Sequence, residues 1–386
     1  MSKLIYLIPL ILLILQLATL NLLPFETYDE IYYVKFANGY LSGNVFYDAH
    51  PPLGKLLVAL SVTLFGNNPL GWRLLSSISW FAVVVIGGLL AKKVFAKPRA
   101  TVFTVILLSF ESLLFVLGRF ALLDIFGVFF SLSSFLFAYN YKDKKLNKYL
   151  ILSSVLMGLA IGVKWSNAIF LVPLTLILTQ KQGRKLMTTL IIFGSSLLAY
   201  LATFLPDILI GSNIIDWHIK TISYHNNLTE AHRYHSPWWS WWPNYHPTWF
   251  KFDQYTELVS AVLSLGNPIT FPAVLIAILV SVKNWLGSKL NLNLAILLLA
   301  FLLFNLQWVF LKRESFNYNL APSIPLGVLI LAYWLDKLWD KKLGPNLVMS
   351  FLSLVIVTFL FFLPLLIGWP IPYTFFQRHI WLPSWT

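Results

Sequence analysis

Residues 25–55 read FETYDEIYYVKFANGYLSGNVFYDAHPPLGK. The stretch follows an apolar run, Leu4 to Leu23, and gathers ionisable groups in a chain that has few of them. Asp29 and Glu30 are adjacent. Asp48 and His50 come later, just before a Pro51–Pro52 corner and Lys55. Asp29 to Leu41 fits an amphipathic helix, and Pro52 suits the first turn of a second helix reaching Phe65. That second run is too short to span a bilayer, so it reads as an interfacial helix.

The surrounding chain sets the class. It has 386 residues, 58% hydrophobic and only 11% charged, with a mean hydropathy of +0.73. Soluble domains carry about 25% charged residues. The sequence therefore predicts an all-α polytopic membrane protein in a single domain, 1–386. Apolar runs near 4–23, 70–91, 101–117, 120–139, 148–163, 165–180, 187–210, 264–282, 291–311, 319–335 and 347–368 predict about eleven transmembrane helices. The first lacks a small-residue cleavage site and reads as a retained helix. With no cysteine, disulfides, thiolate zinc sites and thiol nucleophiles are excluded.

Charge gives the orientation. With the N-terminus in the cytoplasm, the inner segments hold 17 of the 28 Lys and Arg, but only Asp143, Asp336 and Asp340 among the 15 acids. Short basic loops on one side follow the positive-inside rule, reinforced by anionic lipid there. The net charge of +13 is thus a topology signal and not a nucleic-acid footprint. Two long segments, 24–69 and 211–263, then lie outside. The second contains HRYHSPWWSWWPNYHPTWF at 232–250. Its tryptophans, Trp238 and Trp239 among them, form either an interfacial aromatic belt or a platform beside a sugar or lipid headgroup.

Chemistry-bearing residues cluster on the outer side. Asp29–Glu30 either favours a helix N-terminus or supplies a general base. Asp48 and His50 are supporting hydrogen-bonders or proton carriers. The His residues lack ligand spacing, so no metal site is read. Arg73, Arg119, Lys164, Lys312 and Arg313 are outer cations that run against the topology bias. They either pair with Asp124, Glu111 or Glu314, or some among Arg73, Arg119, Lys164 and Arg313 converge on a phosphate.

These motifs carry a resemblance. YLSGNVFYDAHPPLGK, WRLLSS at 72–77, GRFALLD at 118–124, GLAIGVKW at 158–165, HRYHSPWWSWWP at 232–243, GNP at 266–268 and RESFNYNLAP at 313–322 resemble the protein O-mannosyltransferases, glycosyltransferase family 39. The resemblance covers nearly the whole chain. It implies the glycosyltransferase superfamily C fold, with eleven spans. It implies inverting transfer of mannose from a polyprenyl-phosphate mannose to Ser or Thr of secreted proteins, without metal or other cofactor. By resemblance Asp29 would be the base, Glu30 its neighbour in the acceptor site and Arg73 a donor-phosphate ligand. His232 would lie in the sugar-phosphate pocket. The chain lacks the β-trefoil domain of eukaryotic members and looks like a compact prokaryotic form. Asn319 stands where many members have His, and His246 where many have Arg.

The chemistry is consistent on its own terms. A lipid phosphate is an anionic leaving group that needs cations and no acid, and the incoming hydroxyl needs one base. Two other readings stay open: the same fold with another sugar or a lipid or glycan acceptor, and a transporter or flippase. Against transport, the charges cluster at one surface and no inverted repeat is visible. The sequence does not specify an oligomer.

Overall fold

The computed structural model describes residues 3–144, 147–180, 185–228, 234–310 and 314–385, without the side chains of 3 and 142–144. After a short 3₁₀ turn, α1 (Leu7–Ala18) leads into the segment that carries the acids. There α2 (Glu30–Leu41) and α3 (Leu53–Phe65) form as their periodicity and Pro52 predict. α4 (Pro69–Phe95) has strong signals at both ends. The Asn68 side chain accepts from the Leu70 and Gly71 N–H groups, Pro69 opens the first turn, and Ala96 closes the helix at φ 54°.

The next apolar run is broken. α5 (Pro98–Ser109) stops, and Glu111 caps the short α6 (Ser112–Leu117) through the Leu113 and Leu114 N–H groups. An irregular turn then carries Arg119 into α7 (Asp124–Lys144). α8 (Asn147–Val163) packs back on α7 and ends at Lys164, before a 3₁₀ segment, Trp165–Phe170, and α9 (Leu171–Thr179). α8 also meets α10 (Lys185–Ala202) closely. A Cβ on Gly158 would lie 2.2 Å from the Ser196 carbonyl oxygen, and one on Gly162 would lie 2.7 Å from Thr203 Cγ2. This Gly-x-x-x-Gly face lets two helices approach where lipid offers no hydrophobic drive.

The long segment 211–263 departs from the all-α expectation. It follows α11 (Leu205–Leu209) and holds α12 (Ile214–Asn227), then an antiparallel hairpin of β1 (Thr248–Tyr255) and β2 (Leu258–Ser264). β3 (Ile371–Pro372) adds to β2, giving the order β1-β2-β3. A bulge between Trp249 and Lys251 disturbs the register. It puts Trp249 and Phe252 together against Phe376, while Phe250 stacks on Tyr28 from the first outer segment.

The chain closes with α13 (Thr270–Leu286), α14 (Leu292–Leu306), a 3₁₀ stretch Asn317–Ser323 running into α15 (Ile324–Trp339), α16 (Gly344–Ile367) and α17 (Tyr373–Phe376). Each apolar run read from the sequence contains helix among the described residues, but the 101–117 and 187–210 runs are interrupted and the 264–282 run begins at the end of β2. By length and composition, Pro69–Phe95, Lys185–Ala202, Leu292–Phe310, Asn317–Trp339 and Gly344–Ile367 are long and apolar enough to cross a membrane. Large apolar side chains such as Leu198, Phe310 and Val357 stay exposed on these helices, which suits a lipid-facing surface.

Candidate active site

Tyr28 enters α2 at φ +55°, a left-handed conformation that costs an L-residue about 1–3 kcal/mol. Packing holds it there: its ring stacks on Phe250 at 4.7 Å and meets Phe316 and Tyr318 edge-on. The next residue, Asp29, occupies the N-cap position, yet its side chain makes no capping bond. The carboxylate is turned instead into a cavity of about 410 Å³, where Oδ2 accepts the Tyr318 hydroxyl at 3.0 Å. That diversion separates Asp29 from an ordinary helix-start acid.

Glu30 points the other way and is fully buried. Its Oε1 accepts from Arg73 Nε at 2.8 Å and from the Ala121 N–H at 2.8 Å. Its Oε2 accepts from Arg73 Nη2 at 2.6 Å and from the Thr27 N–H at 3.2 Å. Arg73 uses its remaining donors on the Leu20, Leu23 and Phe25 carbonyls. A guanidinium has five N–H groups, and all five are engaged. The expected roles of Arg73 at a donor phosphate and of Glu30 in an acceptor site therefore do not fit their placement. The pair pins the end of the first helical segment to the start of α2.

Arg119 lies away from the cavity. It is buried, and donates to the Gln16 and Thr19 carbonyls and to Thr19 Oγ1, closing the C-terminal end of α1. It lines neither chamber of the site.

Lys164 does line the cavity. Its Nζ donates to both Asp124 oxygens, at 2.8 and 2.9 Å, and stands 5.6 Å from the Tyr318 ring centroid. Asp124 thus pairs with Lys164 and not with the nearer-in-sequence Arg119. An ammonium has three N–H groups, so one of them remains for a ligand. Lys164, Ala49, His50, His225 and Asn319 border both this chamber and an adjoining, more apolar one of about 350 Å³, lined further by Trp165, Ile222 and Trp308.

Asp48 and His50 both line the cavity. Asp48 Oδ2 binds Lys55 Nζ at 2.5 Å, and Lys55 also donates to the His50 carbonyl at 2.7 Å. α12 clamps the same corner from above. Trp217 Nε1 donates to the Asp48 carbonyl at 3.0 Å, and His225 Nε2 lies 3.0 Å from the Ala49 carbonyl. Burial first, then the Asp29 charge, holds the Tyr28 and Tyr33 hydroxyls well above the usual phenol value. Both stay protonated donors beside the acid.

The tryptophans divide between surface and interior, with Trp239 exposed. Trp238 and Trp239 line neither chamber. Trp241, Trp242 and Trp249 are buried, with their indole N–H groups on Ser236, Asn305 and the Trp385 carbonyl. They pack within the fold, and the Phe and Tyr side chains lining the cavity are Tyr32, Tyr33, Phe36, Tyr224, Phe316 and Tyr318. His232 and Arg313 lie outside the described residues. Among the described residues, no three His, Asp or Glu side chains gather as a metal-ligand set. Tyr318 went unremarked in the sequence although it sits inside RESFNYNLAP, and so did His225; Asn319 drew notice only as standing where many members have His.

Three family models match in succession. Dolichyl-phosphate-mannose-protein mannosyltransferase models match residues 6–72 and 49–210, and the C-terminal four-transmembrane region of protein-O-mannosyltransferase matches 210–385. Polyprenol-phosphate-mannose–protein mannosyltransferases of Mycolicibacterium smegmatis and Corynebacterium glutamicum are each 25% identical, over 87% of this chain and 81% of theirs. Among solved structures, the Saccharomyces cerevisiae protein O-mannosyltransferase Pmt1-Pmt2 complex bound to the sugar donor superposes with a TM-score of 0.85 at 14% identity, covering 100% of this chain and 93% of that one. ArnT from Cupriavidus metallidurans bound to undecaprenyl phosphate gives 0.66 at 14% identity, covering 95% and 77%. At that identity the two structures speak to the fold.

Proposed function

The chain belongs to the protein O-mannosyltransferase family, glycosyltransferase family 39, and from that premise we propose that Asp29 and Lys164 divide the chemistry of mannose transfer between them. The protein is an integral membrane glycosyltransferase. Its donor is a polyprenyl-phosphate mannose and its acceptor a Ser or Thr hydroxyl of a polypeptide. Asp29 takes the proton of the acceptor hydroxyl as the new oxygen–C1 bond forms on the face opposite the lipid. The C1–phosphate oxygen bond breaks, and polyprenyl phosphate leaves as an anion, with inversion at C1. Lys164 meets that anion. No metal or other cofactor is given a role, because the leaving group already carries its charge as phosphate.

The observation that carries this reading is the single Tyr318 ring between the two groups, with its hydroxyl on Asp29 and its face under Lys164. Asp124 already balances the Lys164 charge. The basic loops support a plasma-membrane topology with a cytoplasmic N-terminus and the site on the other side. The more apolar chamber supports an opening for the lipid.

The test is direct. Protein in vesicles, given polyprenyl-phosphate mannose and a Ser/Thr peptide, is expected to yield peptide with one added hexose by mass spectrometry. Hexose found on lipid or glycan alone, or transport without covalent product, overturns the reading. Lys164→Gln combined with Asp124→Asn removes the ion pair without leaving a lone buried charge. It is expected to raise the donor KM about 10-fold or more, the loss of one charge-assisted phosphate contact. An unchanged donor KM would free Lys164 from that role.

A further inference from the structure

The Asp29 carboxylate is held by groups from distant segments. Tyr318 lies in the buried 3₁₀ stretch Asn317–Ser323, which Pro322 stiffens. Its ring is parallel to Phe316 at 5.4 Å, edge-on to Tyr28 at 5.9 Å and to Phe250 at 5.7 Å. Lys164 stands over its face. A ring so enclosed has no room to swing, so its hydroxyl has a fixed place. That hydroxyl accepts from the Tyr28 hydroxyl at 3.4 Å and donates to Asp29 Oδ2 at 3.0 Å. The direction is set by the far end, since an ionised carboxylate only accepts.

We propose that Tyr318 is a positioning residue for the transfer, fixing the Asp29 carboxylate with its hydroxyl while its ring seats Lys164 at the donor side. The inference rests on Asp29 being the base. A carboxylate on a helix N-cap normally folds back onto its own helix N–H groups; here Tyr318 takes that place and turns the acid into the cavity. The donated bond also favours the ionised carboxylate, which keeps the base ready to accept a proton. The ring–cation contact couples base and donor cation through one rigid body, so their spacing does not depend on two separate rotamers.

The charged and titratable groups around Asp29 are Tyr28, Tyr32 and Tyr33 from its own turn and helix, Asp48 and His50 from the next loop, Lys164 with Asp124, Tyr224 and His225 from α12, Tyr234, and Glu314 and Tyr318. Tyr318→Phe changes none of their charges. It keeps the ring, its stacking and the Lys164 contact, and removes one hydroxyl.

In the full-length enzyme with polyprenyl-phosphate mannose and acceptor peptide, Tyr318→Phe is expected to lower kcat about 10-fold or more, with donor KM within about twofold. The acid limb of the kcat/KM profile is expected to move up by about one pH unit, as the carboxylate loses a donor. A purely packing role would leave that limb in place. Unmoved kcat and an unmoved limb overturn the proposal. If Tyr318→Phe does not fold, Tyr28→Phe serves: it weakens the same chain of donors and is expected to shift the limb in the same direction by less, and no shift overturns the proposal. Asp29→Asn is run beside them. An active Asp29→Asn removes the base reading and this inference with it. An inactive Asp29→Asn with a wild-type-like Tyr318→Phe overturns this inference alone.

Discussion

Asp29→Asn is expected to lower kcat about 1,000-fold while donor affinity stays within about threefold. Positioned general bases contribute about 10²–10⁴ in rate, and this site offers one carboxylate in the place where an acceptor hydroxyl must lose its proton. The amide is nearly isosteric and its oxygen still accepts the Tyr318 hydroxyl, so the cavity keeps its shape. The turn into α2 is held elsewhere, by Tyr28 on Phe250 and by the Glu30–Arg73 pair. Folding is therefore expected to survive, and a matched melting temperature checks it. Transfer of labelled mannose to peptide and equilibrium binding of the donor lipid are the two readouts. Activity near wild type would take the base away from Asp29. Equal loss of binding and turnover would make Asp29 a donor ligand instead.

The helical frame was readable because its signals are local. Pro52 before α3, Asn68–Pro69 before α4 and long apolar runs all act within a turn or two of themselves. The sheet was not readable. Alternation in Thr248–Tyr255 is broken by the bulge that sends Phe250 to the other face, and the tryptophans around it suited either a lipid belt or a headgroup platform. Their indole N–H partners, such as the Trp385 carbonyl for Trp249, lie 136 residues away.

The site divided along the same line. Asp29, Asp48 and His50 share one short stretch, and the structure keeps them together on one cavity. Tyr318 reaches Asp29 across 289 residues, a pairing that no local pattern carries. The outer cations were harder still. Charge alone does not separate an arginine awaiting a phosphate from one already surrounded by carbonyls. Arg73 and Lys164 look alike in sequence, and only the geometry of their acceptors parts them.

Arg73→Ala is accordingly expected to act on folding and not on the donor. Arg73 and Glu30 are fully buried and bonded through two nitrogens, and three backbone carbonyls depend on the same guanidinium. Removing one partner of such a pair destabilises by about 3–5 kcal/mol, because the other charge is left buried alone. For a protein with a margin of about 5–15 kcal/mol, that is a large share. Arg73→Lys is expected to rescue little: an ammonium offers three donors from one point where five acceptor contacts converge from Glu30 and the Leu20–Phe25 segment. Arg73→Met with Glu30→Leu should recover part of the loss, yet the Leu20, Leu23 and Phe25 carbonyls and the Ala121 N–H would still lack partners. Melting in detergent and donor-lipid affinity of the folded fraction separate the two accounts. A lower melting temperature with unchanged affinity fits a clamp on the loop that carries the base. Normal melting with weakened donor binding would return Arg73 to the phosphate.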